Sequence, residues 1–169
     1  MSRTTNFKGS PLELVGNEVK IGDKIPAFKV TGNDMQDVTE SILKDKVAVI
    51  VTVPSLDTPV CSIEAARFNK DASKLGDKVT VLVVSRDLPF AQKRWCAAEG
   101  AERVVTASDY KYRNFGPSFG AHIKDWDLNS RAVFVADKSG TIKYVEYVPE
   151  VSAEPRYDEV LKIAAELAV

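Results

Sequence analysis

The sequence predicts an α/β protein built on a central mixed β-sheet with helices packed against it. Three observations carry this reading. Lys46–Val53 (KVAVIVTV) and Lys78–Ser85 (KVTVLVVS) are β-branched, nearly continuous apolar runs, the pattern of strands buried on both faces. The segment between them, Cys61–Leu75, carries Ile63, Ala66, Phe68 and Leu75 at helical positions and meets Gly76 as its stop. Strand, helix and strand in succession form a βαβ unit, whose crossover is right-handed.

The remaining elements follow in chain order. Thr4–Phe7 and Leu12–Val15 flank the turn Lys8-Gly9-Ser10-Pro11 and predict a hairpin that must pack on something larger to be stable. Polar turns at Gly22-Asp23 and Gly32-Asn33-Asp34 lead to the first apolar run. After the βαβ unit, Leu88–Glu99 reads as a helix with Asp87 as N-cap, Pro89 in the first turn and Gly100 as its end. Val104–Ala107 is a short strand, and Ser130–Ala136 with Thr141–Val148 form a hairpin around Asp137-Lys138-Ser139-Gly140. Tyr110–Phe115 and Asp125-Trp126-Asp127 read as loop and short-helix packing, and His122 as a loop or surface residue. Tyr157–Val169 closes the chain as an amphipathic helix, with Val160, Leu161, Ala164 and Leu167 inward. Hairpin, βαβ, αβ and ββα in that order is the plan of a thioredoxin-like fold with an N-terminal β-hairpin added. No repeat or linker divides the chain, so residues 1–169 read as one domain.

Composition narrows the function. Lys and Arg number 23 against 24 Asp and Glu, a net charge of −1, which leaves no global basic field for nucleic acid or an anionic membrane. The longest apolar runs fall far short of a membrane span, and MSRTTNFKGSPLELVG has no signal-peptide core, so a soluble, cytoplasmic protein is expected. Two cysteines permit one intramolecular disulfide at most, and a single histidine excludes a site built on several imidazoles. Cys61 and Cys96 lack the close spacing of common zinc motifs, and no Gly-rich phosphate loop is present. A Cys–Cys–His–carboxylate zinc site stays arithmetically possible on the residues alone. The missing C-x-x-C argues against an oxidoreductase acting on protein disulfides, where close spacing lets one thiol resolve the other's mixed disulfide.

The informative stretch is Val53-Pro54-Ser55-Leu56-Asp57-Thr58-Pro59-Val60-Cys61, which leaves the C-terminal end of a buried strand and opens a helix. Open α/β sheets place their ligands there. Thr58 suits an N-cap and Pro59 the first helical position, which puts Cys61 third, beside unpaired backbone N–H groups and the positive end of the helix dipole. That setting favours a thiolate, the reactive form of cysteine. On the residues alone Cys61 has two readings, a nucleophile or an inert buried cysteine at a helix start. Likewise Thr58 is a sufficient cap, Pro54 a sufficient strand end, Arg131 an ordinary ion-pairing residue and Cys96 a small apolar side chain on a helix face.

Pro54, Thr58 and Cys61 stand in the spacing P-x-x-x-T-x-x-C, which resembles the active-site signature of peroxiredoxins. PSLDTPVC together with DLPFAQKRWC at Asp87–Cys96 is similar to the thiol peroxidases, the atypical two-cysteine subfamily. The resemblance implies a thiol-specific peroxidase that protects against oxidative stress by reducing hydrogen peroxide and alkyl hydroperoxides to water and alcohols. Cys61 would be the peroxidatic nucleophile and become a sulfenic acid. Thr58 would orient thiolate and peroxide, Arg131 would stabilise the reacting charge, and Pro54 would shield the sulfur from water. Cys96, 35 positions after Cys61, would be the resolving cysteine, closing an intramolecular Cys61–Cys96 disulfide. The resemblance further implies thioredoxin as reductant, a homodimer, and chemistry that needs no metal, haem, flavin or other cofactor. A redox sensor that hands its disulfide to a partner protein would use the same two cysteines. Bridged cysteines need Cα atoms about 4.4–6.8 Å apart, closer than the axes of packed helices at about 8–10 Å, so a local shift is expected between dithiol and disulfide.

Overall fold

A computed structural model describes residues 3–169. β1 (Arg3–Phe7) and β2 (Ser10–Val15) pair antiparallel around Lys8 and Gly9, whose φ values of 51° and 83° lie where a glycine relieves backbone strain. β3 (Lys29–Gly32) and β4 (Asp37–Thr39) form a short antiparallel pair that the sequence pattern did not announce. Next come β5 (Val47–Thr52), α1 (Pro59–Leu75), β6 (Val79–Ser85), α2 (Pro89–Glu99) and β7 (Val104–Ser108). A four-residue helix, α3 (Phe115–Ser118), precedes β8 (His122–Ile123) and β9 (Leu128–Asn129). The chain ends with β10 (Ala132–Ala136), β11 (Ile142–Tyr147) and α4 (Tyr157–Leu167).

The main sheet has the order β11-β10-β5-β6-β7-β3-β4, with β5, β6 and β7 parallel and the other pairs antiparallel. Alternation along each strand divides its apolar residues between two cores. Val47, Val49, Val51, Val81, Val83, Val133 and Val135 pack with Ala65, Phe68 and Ala72 of α1 and with Val160 and Ala164 of α4. Ala48, Ile50, Leu82, Val84, Ala132 and Phe134 belong to the other core, with Phe28, Phe115 and Phe119. Phe115 and Phe119 stack with centroids 4.3 Å apart, so a loop and a single helical turn seal a face that a long helix would otherwise cover. Burial on both faces is why the central strands read as continuous apolar runs. A smaller sheet, β1-β2-β8-β9, packs Leu14 and Ile123 against Val151.

Several details differ from the sequence reading. α1 turns Cys61, Ala65, Phe68 and Ala72 inward, which leaves Ile63 58% exposed instead of in the core. In α4 Val160, Ala164 and Leu167 face the core as expected, but the half-buried Ile163 joins them in place of Leu161. Asp87 does not cap α2; Leu88 holds the N-cap position without a side-chain bond, and the Asp87 carboxylate is engaged elsewhere. His122 is not on an open surface: it lies on β8 with its side chain 15% exposed. No helix among the described residues is long and apolar enough to cross a membrane.

Candidate active site

The site forms where β5 ends and α1 begins. Thr58 stays extended (φ −82°, ψ 145°), so its Oγ1 accepts a hydrogen bond from the Cys61 backbone N–H at 3.1 Å. Its hydroxyl donates to the Ser55 carbonyl at 3.1 Å rather than to the sulfur, and turning it toward Cys61 would cost that one bond. Pro59 opens the helix with no N–H to satisfy, and Cys61 follows at the third helical position. Pro54 is buried in the segment between strand and helix. Asp87 fastens that segment to the end of β6. Its carboxylate accepts from the Ser55 hydroxyl (2.6 Å), the Leu56 N–H (2.8 Å) and the Ser85 hydroxyl (2.6 Å).

Cys61 is fully buried, and its Sγ accepts a hydrogen bond from Nη2 of Arg131 at 3.2 Å. Arg131 lies just before β10, 70 positions away in sequence, and its side chain is only 1% exposed. Two further acceptors hold it in place. Nε and Nη2 donate to the Val151 carbonyl at 2.9 and 2.7 Å, and Nη1 donates to Glu64 Oε2 at 2.5 Å. Glu64 itself is fully buried, one helical turn after Cys61 on the same face of α1. Burial pushes its carboxyl up to about 7, against the pull of the Arg131 guanidinium in the other direction. The result is an invariantly charged, rigidly forked donor aimed at a buried sulfur, an arrangement that stabilises negative charge on sulfur and on an atom it attacks.

Cys96 is half-buried in the last turn of α2, and both cysteines are free thiols. The two helices are tied next to the sulfurs by Trp95, whose indole N–H donates to the Ser62 hydroxyl at 3.0 Å. Thus Cys61, Thr58 and Arg131 come together, with Pro54 in the segment leading to them, while Cys96 stands on a separate helix. Phe90 is 65% exposed and lies outside both cores. The sequence reading missed Glu64 and the Val151 carbonyl. The one available signal for Glu64 was its phase, a carboxylate on the helix stripe of Cys61, Ala65, Phe68 and Ala72. A carbonyl acceptor leaves no side-chain signature. Among the described residues no group of three or more His, Cys, Asp or Glu gathers to hold a metal ion.

Comparison with known proteins places this geometry. The redoxin family model matches residues 20–161. A thiol peroxidase of Bacillus subtilis is 46% identical over 161 residues, covering 95% of this chain and 96% of that protein. A thiol peroxidase of Oceanobacillus iheyensis is 50% identical over 161 residues, covering 95% and 97%. The crystal structure of a peroxiredoxin-like protein from Aquifex aeolicus superposes with a TM-score of 0.92 at 46% identity, covering 99% of this chain and 98% of that one. A buried cysteine at a helix start, a guanidinium on its sulfur and near-complete alignment with these relatives agree: the chain belongs to the redoxin family, among its thiol peroxidases.

Proposed function

We propose that the chain reduces hydroperoxides with Cys61 as nucleophile and Cys96 as resolving thiol. The observation that carries this is the Arg131 guanidinium, buried, fixed by the Val151 carbonyl and Glu64, and bonded to the Cys61 sulfur. In the first step the thiolate attacks the terminal oxygen of ROOH. The O–O bond breaks, sulfur is oxidised to S–OH, and the alkoxide leaves and takes up a proton as ROH. Arg131 stabilises the sulfur charge and the charge that spreads over the two oxygens. Thr58, turned from the Ser55 carbonyl, supplies a second hydrogen bond, and Pro54 keeps bulk water from the sulfenic acid. In the second step Cys96 sulfur attacks Cys61 sulfur; the S–S bond forms, the S–O bond breaks, and hydroxide leaves with the Cys96 proton as water.

An external dithiol then reduces the disulfide, and thioredoxin is the reductant this reading names. The substrates are hydrogen peroxide and small alkyl hydroperoxides. We place the protein in the cytoplasm, where a free dithiol persists between turnovers, and in a homodimer, the commonest symmetric assembly. The whole chain, residues 1–169, acts as one domain in this reading.

Thiol counting with peptide mapping before and after one equivalent of peroxide tests it. The expected result is loss of both thiols and one Cys61–Cys96 linked peptide pair, restored to two thiols by thioredoxin. Retention of the Cys61 thiol under hydroperoxide would overturn the assignment. For the individual roles, Cys61→Ser abolishes peroxide consumption, whereas Cys96→Ser is oxidised once and then stalls.

A further inference from the structure

Cys96 has polar company that the chemistry above does not use. Its Sγ lies 3.3 Å from the hydroxyl of Thr106 on β7, a residue only 3% exposed. Thr106 Oγ1 donates to Asn33 Oδ1 at 3.0 Å, and Asn33 Nδ2 points back to Cys96 Sγ at 3.9 Å. With the Thr106 proton committed to Asn33, the proton between sulfur and hydroxyl belongs to Cys96. The three side chains therefore close a ring with one sense: Cys96 S–H to Thr106, Thr106 O–H to Asn33, and Asn33 N–H to Cys96.

The ring sits where the helix has little else to hold it. Upstream, Gln92 is anchored by bonds from its Nε2 to the Ser85 hydroxyl (3.0 Å) and the Ala107 carbonyl (2.9 Å). Downstream of Cys96, residues 97–100 are all exposed. The last turn of α2 is thus held by Cys96 on β7, by Trp95 on Ser62 of α1 and, past its end, by the buried Ala101, and such sparsely anchored turns are the ones that open first. When it opens, Asn33 and Thr106 keep their bond to each other, so Cys96 departs without orphaning either partner.

We infer that Asn33 and Thr106 are positioning residues for Cys96, a latch that docks the resolving thiol against β7 and so limits how often it reaches Cys61. The inference rests on the resolving role assigned to Cys96 above. Its consequence is kinetic. Disulfide formation competes with a second oxidation, in which another ROOH converts Cys61–SOH to the sulfinic acid with release of ROH. A tight latch prolongs the sulfenic acid, and a loosened one shortens it.

The test is Thr106→Val, which removes the hydroxyl at nearly constant volume, with Thr106→Ser as the conservative partner that restores it. Asn33→Ala, at a half-buried turn position, opens the ring independently should the Val variant fail to fold. Rapid-quench thiol trapping separates Cys61 oxidation from disulfide formation. The expected result is an unchanged first phase and a second phase about fivefold faster in Thr106→Val and Asn33→Ala, the change one hydrogen bond of about 1 kcal/mol makes. The sulfinic yield at excess peroxide falls in proportion, and Thr106→Ser returns both values to wild type. A second phase no faster than wild type in both variants, or a Ser variant indistinguishable from Val, overturns the latch. Failure of the underlying reading looks different: wild-type Cys61 would oxidise without any Cys61–Cys96 disulfide.

Discussion

At the scale of single residues, Arg131 is where charge and hydrogen bonding converge. One buried guanidinium faces two groups able to carry negative charge, Cys61 and Glu64, and all three are within 1% of full burial. A buried cation offsets one anion well and a second poorly, in keeping with a Glu64 carboxyl pushed by burial from 4.5 up to about 7. The sign of the pH effect follows. With its folded value above its unfolded one, Glu64 contributes stability that is full below about pH 4.5 and lost as pH rises through about 7. Glu64→Gln keeps an acceptor for Arg131 and abolishes the titration. The stability of wild type minus that of the variant, from urea unfolding, should therefore fall between pH 4.5 and 7, and a flat difference would refute it. Arg131→Met should slow Cys61 oxidation by about 10²–10³-fold and cost about 3–5 kcal/mol, because it strands a buried carboxyl and a carbonyl as well as the sulfur. Arg131→Lys should restore little, since a single ammonium cannot serve three acceptors as a fork does. Cys61 and Thr58 were legible because a family spacing and helix-start chemistry single them out, whereas Arg131 was named only through the family resemblance. Glu64 was not, because a glutamate in a helix ordinarily faces solvent, and only the phase of α1 buries it.

At the scale of elements, the start of α1 depends on a carboxylate from another element. Asp87 gathers the Ser55 hydroxyl, the Leu56 N–H and the Ser85 hydroxyl, while Thr58 caps the first turn. Asp87→Ala should lower stability by about 1–3 kcal/mol through these orphaned donors and slow Cys61 oxidation, with the helix content of α2 unchanged. Loss of α2 helicity, read by circular dichroism, would return Asp87 to the capping role its position in the sequence suggests. Both roles look alike in sequence, for an Asp two residues before a proline-opened helix satisfies the capping pattern whatever its carboxylate touches. The strong elements, β5, β6, α1 and α2, were legible because continuous β-branched runs and helix stops are local signals. β3 and β4 were not. Three or four residues carry too little pattern; β3 gains what local preference lacks by pairing with β7, Thr31 opposite Ser108 and Gly32 opposite Ala107, and β4 by pairing with β3.

At the scale of the whole molecule, the N-terminal hairpin reaches the candidate active site through the segment that follows β11. Asn6 donates its backbone N–H to the Pro149 carbonyl at 2.9 Å, and Val151 donates its own to the Asn6 carbonyl at 2.8 Å. Thr5 Oγ1 adds a bond to the Val148 carbonyl at 3.1 Å. These bonds hold the segment that follows β11, and the Val151 carbonyl in that segment accepts two of the four hydrogen bonds Arg131 makes. The hairpin was legible as a hairpin, and its need to pack on something larger was clear, but which surface it met depended on contacts more than 140 positions away in sequence. Asn6→Pro isolates this route. Proline removes the N–H that reaches Pro149, while the paired residue on β2 is itself Pro11, which donates no bond back. The main sheet and both of its cores lie outside the change. Circular dichroism should therefore stay close to wild type while the Val151 carbonyl, held by one bond fewer, fixes the guanidinium less firmly and Cys61 oxidation slows by about tenfold. Oxidation at the wild-type rate would mean that β10 and Glu64 alone hold Arg131, and that the hairpin serves only to cover the Leu14, Ile123 and Val151 cluster.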